Sequence, residues 1–156
     1  GNYAGQFYPT KLAKEEGFQQ IVWTDSNTHE YIEEAGTMNV FVRIGDKLLT
    51  CPTSDRILDG VTRKSVITLA KDQGIEMEIR PIKVSELLEA SKNNTLKEMF
   101  GSGTAAVINP IQGFGYKGDK YELPKLENSY ASRFKKQLTD IQYNRSEDKH
   151  GWRYKI

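Results

Sequence analysis

The sequence predicts a mixed α/β domain in which helices pack against mixed sheets. Stretches with helical apolar spacing alternate with short strand-like stretches, a pattern typical of α/β and α+β domains. Several strand-like stretches are joined by glycine-containing tight turns, which favour antiparallel pairs and argue against a doubly wound parallel sheet. The chain has 156 residues, which fits a single domain with its own hydrophobic core.

The first quarter of the chain predicts one helix and one short strand. Residues 3–16 carry apolar residues at helical spacing, and Gly17 ends that pattern. Residues 20–24 include isoleucine, valine and tryptophan in a row, which favours a strand. Asp25-Ser26-Asn27 follows as a predicted turn, because these side chains hydrogen-bond to nearby backbone.

The middle of the chain predicts a hairpin followed by an amphipathic helix. Residues 38–44 and 47–50 alternate as two strands, and Gly45-Asp46 between them is a hairpin signal. A helix is expected over residues 61–73, ended by Gly74. Its apolar face is predicted to contain Val61, Val66, Leu69 and Ala70.

The last third predicts further strands, a short helix and a closing helix. Residues 76–82 favour a strand and residues 85–91 a short helix. Residues 99–111 indicate a strand, a glycine turn and a second strand. A hairpin turn is expected at residues 115–119, and a helix over residues 128–143 packs back on the domain.

Composition limits the functional classes. The net charge of +1 gives no electrostatic reason to expect nucleic acid or a membrane surface as partner. No apolar run approaches the roughly 20 residues that a membrane helix needs. Cys51 is the single cysteine, which favours a reduced, cytoplasmic setting and a buried thiol that acts as a small hydrophobe. We expect His29 and His150 on the surface, with no metal-ligand spacing.

A helix start at Gly60 is the first candidate binding feature. The glycine leads directly into the predicted helix, so the amides of Val61 and Thr62 are free to attract a phosphate, with the Thr62 hydroxyl as a further donor. The alternative is structural, with the Asp59 side chain capping the helix.

The second feature is residues 100–106, where glycines and other small residues leave the backbone accessible. Two glycines flank Ser102, and small residues follow Thr104, so another molecule can come very close. Exposed amides in such a turn form an anion-binding concavity. A tight hairpin with a close strand crossing uses glycine in the same way and stays open as the alternative.

Adjacent acids ahead of an apolar strand are the third feature. Strand alternation sends Glu33 and Glu34 to opposite faces, so one can be buried while the other is solvated. A buried carboxylate must find a partner or change its pKa. Two solvated acids at a strand end are the alternative.

Taken in order, these segments resemble branched-chain amino-acid aminotransferases, which are fold-type IV pyridoxal-phosphate enzymes. The most specific string is Glu-x-Gly-Thr-Met-Asn, and the glycine turn followed by Thr-Ala recurs more widely in that fold type. The resemblance covers nearly the whole chain and marks it as the C-terminal, cofactor-binding domain. It is carried by residues 1–3, 21–23, 34–39, 60–63 and 100–105.

The resemblance implies roles for five residues around pyridoxal phosphate. Glu34 would face the pyridine nitrogen and keep it protonated, so that the ring can draw electrons from the substrate. Tyr3 would hydrogen-bond the ring hydroxyl. The amides of Val61 and Thr62 would hold the phosphate, and Thr104 would add a contact from the glycine turn.

The resemblance also implies the reaction and its substrate contacts. The intact enzyme would transaminate leucine, isoleucine or valine with 2-oxoglutarate, releasing glutamate, by a ping-pong route. Ala105 and Thr104 would help bind the substrate carboxylate through their backbone. Thr37 and Met38 would lie beside the pocket for the branched side chain.

Two elements of the family pattern fall before Gly1. They are the Schiff-base lysine, which lies three residues before the matching glycine, and an N-terminal domain that adds an arginine to the phosphate site. We therefore expect this chain alone to be inactive and its natural partners to be that domain and, as a homodimer, a second copy. The alternatives are a D-amino-acid aminotransferase or aminodeoxychorismate lyase on the same scaffold, or a non-catalytic domain that binds an anion or a partner protein.

Overall fold

The structure, a computed structural model, describes residues 4–154. A 3₁₀ turn over Ala4–Gln6 precedes the first helix. The helices are α1 (Phe7–Glu15), α2 (Val61–Asp72), α3 (Val84–Lys92) and α4 (Tyr130–Gln142). The strands are β1 (Val22–Thr24), β2 (Tyr31–Ala35), β3 (Met38–Ile44), β4 (Lys47–Thr50), β5 (Met77–Ile79), β6 (Ile82–Lys83), β7 (Leu96–Gly103), β8 (Val107–Ile111), β9 (Gly113–Tyr116) and β10 (Asp119–Glu122).

Strand β3 organises the main sheet. Along one side it pairs antiparallel with β7, which in turn pairs with β8. On the other side β2 pairs with its first residues and β4 with its later ones. β1 and β6 extend the sheet from β2, whereas β5 pairs in parallel with β4. β9 and β10 form a separate hairpin. The predicted mixed α/β fold is confirmed.

The two faces of the sheet carry two separate cores. Alternation along β3 sends Val40 and Val42 to one face, where they pack with α3. Phe41 points to the other face, stacks on Phe100 with ring centroids 5.0 Å apart, and packs with α2 and α4. Burial of large side chains on both faces supplies most of the driving force for folding.

Two segments differ from the prediction in detail. Residues 31–35 form β2. The prediction of two strands, over residues 38–44 and 47–50, did not include this strand. The strand predicted over residues 76–82 is split into β5 and β6, which pair with different neighbours. The split falls at Arg80-Pro81, because proline has no amide to donate to a sheet.

The glycine turn predicted near residue 102 was wrong in its position. Gly101 and Gly103 lie within β7, and the turn to β8 is made by residues 104–106. The side chain of Met38 explains both glycines. A Cβ at Gly101 would lie 2.9 Å from its Sδ, and one at Gly103 would lie 3.3 Å from its Cγ. The glycines therefore leave room for the Met38 side chain over β7, and neither the tight hairpin at these glycines nor a strand crossing, the structural alternative, is found because β3 and β7 are paired neighbours in the sheet.

Two single-residue predictions have opposite outcomes. Cys51 is buried as expected, its thiol contacts the carbonyl oxygen of Ile32, and burial raises the pKa of the thiol to about 11. Such a thiol stays protonated and unreactive at neutral pH. Val61, predicted on the buried face of α2, is instead exposed at the first position of the helix, and the buried face consists of Arg63, Val66, Leu69 and Ala70. Within residues 4–154, no helix combines the length and apolar character needed to cross a membrane.

Candidate active site

The candidate site begins where one face of the sheet changes from apolar to polar. Phe41 and Phe100 are direct partners across β3 and β7, and two residues further along the same face the partners are Asn39 and Ser102. Both polar side chains are buried. They lie beneath an open pocket with a volume of about 290 Å³. The lining residues are Glu34, Thr37, Asn39, Leu58, Gly60, Thr62, Ser102, Gly103, Thr104 and Ala105.

The start of α2 forms one wall of the pocket. Gly60 is the N-cap residue, and within the described residues no side-chain acceptor caps the helix there. Asp59, the alternative cap, instead pairs with Lys64 at 2.6 Å and lies 3.9 Å from Arg63. The first-turn amides of an α-helix have no partners inside the helix, and the helix dipole makes them attractive to an anion. This wall is suited to a phosphate or a carboxylate.

Glu34 forms the acidic part of the pocket, next to the segment that precedes α2. Its Oε1 accepts hydrogen bonds from the Leu58 amide at 3.0 Å and from the Asn39 side chain at 3.3 Å. Burial raises the pKa of the carboxyl group, the Leu58 hydrogen bond lowers it, and the nearby Glu33 carboxylate adds to the increase. A cation at this wall would offset that cost, because an opposite charge favours the ionised form.

The neighbouring acid has a different role. Glu33 projects to the other face of β2, where its Oε1 pairs with Arg56 Nε at 2.8 Å. Its side chain is only 13% exposed, so the alternative of two solvated acids does not describe this strand.

The turn between β7 and β8 closes the pocket from above. Thr104 and Ala105 line it from this turn, and Val107 follows with a φ of +57°. A β-branched residue in this region carries a backbone cost of roughly 1–3 kcal/mol and persists where its surroundings hold it. Val107 is held by packing against the core under α2 and α4.

Ser102 is the least explained polar group in the site. Its side chain is buried, and its Oγ has no hydrogen-bond partner within residues 4–154. An unpartnered buried hydroxyl costs on the order of 1–3 kcal/mol. A ligand with a suitable polar atom would relieve that cost, because Ser102 is part of the pocket lining.

The structure brings together most of the residues singled out in the sequence. Five of them line the pocket: Glu34, Thr37, Thr62, Thr104 and Ala105. Two do not line it. The side chain of Val61 is exposed at the helix start, and that of Met38 packs against Gly101 and Gly103. Tyr3 lies outside the described residues.

Three lining residues received no role from the sequence: Asn39, Leu58 and Ser102. Asn39 and Ser102 each lie inside a recognisable string, but a string does not reveal which faces of two strands come into register. The alternation of β3 and β7 carries that signal, since each polar residue is two positions from a large buried phenylalanine. For Leu58, which is exposed, we see no sequence signal that would identify it.

Together these walls give the pocket two electrostatic ends. The helix start favours a negative group, and the half-buried carboxylate favours a positive one. A small molecule that carries an anion and a cationic nitrogen matches both ends at once.

Comparison with known proteins identifies the family of the chain. The family model described as amino-transferase class IV matches residues 1–114. A probable branched-chain-amino-acid aminotransferase of Staphylococcus epidermidis is 38% identical over 157 aligned positions, covering 100% of this chain and 44% of the relative. The chain thus spans less than half the length of this curated relative.

Solved structures show the same fold. The branched-chain amino acid aminotransferase of Escherichia coli superposes with a TM-score of 0.76 at 28% identity, covering 97% of this chain and 46% of that one. An aminotransferase from Brucella abortus, solved with the cofactor PLP bound, gives a TM-score of 0.72 at 25% identity, covering 91% and 45%. The family match over most of the chain, the relative and the shared fold agree, and the chain therefore belongs to the class IV aminotransferase family.

Proposed function

We propose that the pocket binds pyridoxal phosphate and that the chain is the cofactor-binding part of a branched-chain amino-acid aminotransferase. The single observation that carries the proposal is the pairing of a half-buried carboxylate with an uncapped helix start in one pocket. Pyridoxal phosphate has a ring nitrogen for the first and a phosphate for the second. The cofactor bound in the Brucella abortus relative supports the same choice.

The polar groups present fit this cofactor. The first-turn amides of Val61 and Thr62 are suited to the phosphate, and Thr104 adds a hydroxyl on the turn across the pocket. Glu34 has one oxygen engaged by its neighbours, and its other oxygen is suited to a protonated ring nitrogen. Ser102 offers a buried hydroxyl with no competing partner within the described chain. Tyr3 would hold the ring hydroxyl.

Each residue would act by binding or by holding a proton in place. When bound, the cofactor supplies a ring that draws electrons away from the substrate's α-carbon. Glu34 would keep the proton on the ring nitrogen, because a carboxylate beside a cation stabilises its charged form. The backbone of Thr104 and Ala105 would orient the substrate carboxylate, and Thr37 and Met38 would lie toward the branched side chain.

The substrates in this proposal are leucine, isoleucine and valine, with 2-oxoglutarate as amino acceptor and glutamate as product. The names of the relatives support this class, and they favour it over a D-amino-acid aminotransferase, a lyase or a non-catalytic domain. The proposal also includes an upstream domain with the catalytic lysine, a homodimeric assembly and a cytoplasmic location.

A transamination assay tests this function. The 156-residue chain, incubated with pyridoxal phosphate, leucine and 2-oxoglutarate, is expected to form no glutamate. A fusion in which this chain replaces the matching 44% of the Staphylococcus epidermidis relative, with the rest of that relative retained, is expected to form it. Turnover by the chain alone, or a folded fusion that binds the cofactor but acts on none of the three amino acids, would refute the assignment.

A further inference from the structure

We propose that Asn39 is a positioning residue, whose side-chain amide fixes Glu34 relative to the start of α2. This inference rests on the proposed function and deepens it, because it names the residue that sets the separation between the acidic and anion-binding ends of the pocket. Asn39 would act through Glu34 and the backbone before α2.

The contacts of Asn39 form a closed set. Its Nδ2 donates to the carbonyl oxygen of Leu58 at 2.8 Å and to Oε1 of Glu34 at 3.3 Å. The amide of Leu58 donates to the same carboxylate oxygen at 3.0 Å. The acid, the amide and the segment before α2 therefore hold one another, and moving one strains the other two.

The chemistry of the neighbours selects an amide at this position. Both groups facing the Asn39 side chain, a carbonyl and a carboxylate, are acceptors, so the NH₂ group must point to them. One nitrogen with two hydrogens serves both acceptors at once. Aspartate would have the same shape but would offer neither hydrogen at neutral pH, and it would place a second negative charge beside Glu34.

Gly60 completes the arrangement by leaving room for the amide. A Cβ on residue 60 would lie 2.3 Å from Oδ1 of Asn39, far inside van der Waals contact. The backbone of Gly60, with a φ of −65° and a ψ of 135°, is open to any residue, so its own conformation does not require glycine. The absence of a side chain is needed for the contact with Asn39.

The consequence for binding is preorganisation of Glu34. Because Oε1 accepts two hydrogen bonds, the carboxylate is held in one orientation. The direction in which its second oxygen points is thereby fixed. A half-buried carboxylate without these bonds gains by turning toward water, since burial disfavours its charged form. Asn39 is itself 5% exposed and paired across the sheet with Ser102, so its backbone is fixed by β3 and β7.

The test uses Asn39→Asp, which keeps the shape of the side chain and removes both donated hydrogen bonds. Equilibrium dialysis should show that the dissociation constant for pyridoxal phosphate rises roughly tenfold or more, the usual effect of losing a hydrogen bond to a charged group. The constant for inorganic phosphate, measured on the same sample, reports the direct repulsion between the new charge and an anion at the start of α2, and the rise for pyridoxal phosphate should exceed it because only the cofactor engages Glu34 as well. Asn109→Asp, the same change at an exposed position on β8, should leave both constants unchanged.

A second readout follows the carboxyl group of Glu34 directly. In the Asn39→Asp chain, the ¹³C signal of that carboxyl should titrate at higher pH than in the wild type, because it loses a donor and gains a like charge. The neutral variant Asn39→Ala removes the donor without adding a charge and should also raise this titration, whereas a purely structural role for Asn39 would leave the titration of Glu34 in a folded Asn39→Ala chain unchanged. Should Asn39→Asp fail to fold, Gly60→Ala displaces the amide without changing it and should weaken pyridoxal phosphate binding in the same way.

The two proposals fail in different ways. If the wild-type chain does not bind pyridoxal phosphate, the proposed function is wrong, and the titration of Glu34 still decides the role of Asn39. If the wild type binds the cofactor and Asn39→Asp binds it equally well, with an unchanged Glu34 titration, the positioning role is refuted.

Discussion

The ionised carboxylate of Glu34 lowers the stability of the fold, and the same carboxylate is suited to bind a cationic ligand. Burial raises the pKa of its carboxyl group, so the folded chain holds this proton more tightly than the unfolded chain does. The free energy of unfolding therefore falls as the pH rises above the usual range of a glutamate. A residue whose charge is unfavourable to folding but complementary to a cationic ligand is typical of functional sites.

Replacing Glu34 with glutamine separates these two effects. The amide oxygen of glutamine still accepts from Asn39 and the Leu58 amide, but the charge is gone. We expect Glu34→Gln to unfold at a higher urea concentration than the wild type at pH 8, and to lose about 1.5–3 kcal/mol of pyridoxal phosphate binding. Glu33→Gln, on the opposite face, is the control and should bind normally. Unchanged binding by Glu34→Gln would exclude Glu34 as a cofactor contact.

Ser102 gives a second test at the scale of one atom. Its Oγ is buried and has no partner within the described chain, so Ser102→Ala removes an unsatisfied group and should leave the stability unchanged or slightly increased. The same change should weaken pyridoxal phosphate binding by about 0.5–1.5 kcal/mol, the net value of one hydrogen bond. Urea unfolding and dialysis measure the two quantities, and Ser85→Ala, at an exposed position of α3, is the control. Loss of stability without loss of binding would contradict this role.

At the scale of elements, the packing of Met38 from β3 against β7 depends on Gly101. A Cβ there would lie 2.9 Å from Sδ and Cε of Met38 and 3.0 Å from its Cβ. Gly101→Ala should therefore destabilise the chain by about 1–3 kcal/mol, the usual cost of overpacking. Gly5→Ala, with open space around it, is the matched control for thermal denaturation. Equal melting temperatures for the two variants would refute the close packing of Met38 on Gly101.

The connection from β1 to β2 is held by one buried carboxylate. Asp25 accepts from the backbone amides of Asn27, Thr28, Glu30 and Tyr31, and these hydrogen bonds hold the pKa of Asp25 well below its usual range. A lowered folded-state pKa stabilises the chain above the usual aspartate range, and this stability is lost as the pH falls through the folded-state value.

Asp25→Asn should remove that contribution. The backbone amides around residue 25 donate to two charged oxygens, whereas an asparagine side chain has one uncharged oxygen and one NH₂ group. The variant should therefore be less stable at pH 7. The difference from the wild type should shrink as the pH is lowered toward 2. Urea midpoints at both pH values measure this, with the exposed Asp119→Asn as control. A pH-independent difference would show that the charge of Asp25 is not what holds the connection.

Some of these elements were predictable from the sequence and others were not, because only some of them have a local sequence signal. The helix over α2 and the hairpin of β3 and β4 were predicted to within a residue, because apolar periodicity and a Gly-Asp turn are local signals. The break at Pro81 and the strand position of Gly101 were missed. Pro81 is itself a local signal for a strand break, whereas the strand position of Gly101 depends on which strand lies alongside, and a single sequence does not carry that information.

At the scale of the whole molecule, the site is built from segments far apart in the chain. β2, the start of α2 and the turn after β7 contribute to one pocket, and the sequence identified a candidate in each. Their meeting point was predictable only through resemblance to a family. The register of Asn39 with Ser102 and the orphaned hydroxyl required coordinates, because both follow from the packing of two strands on a helix.

The central claim is that these segments form a single site with a phosphate end and an acidic end. Equilibrium dialysis of the 156-residue chain with pyridoxal phosphate tests it most directly, with inorganic phosphate and pyridoxal as competitors. We predict one saturable site per chain, full competition by phosphate, and weaker binding of pyridoxal, which lacks the anion for the start of α2. Binding that phosphate does not displace, or equal affinity for pyridoxal and its phosphate, would contradict the account.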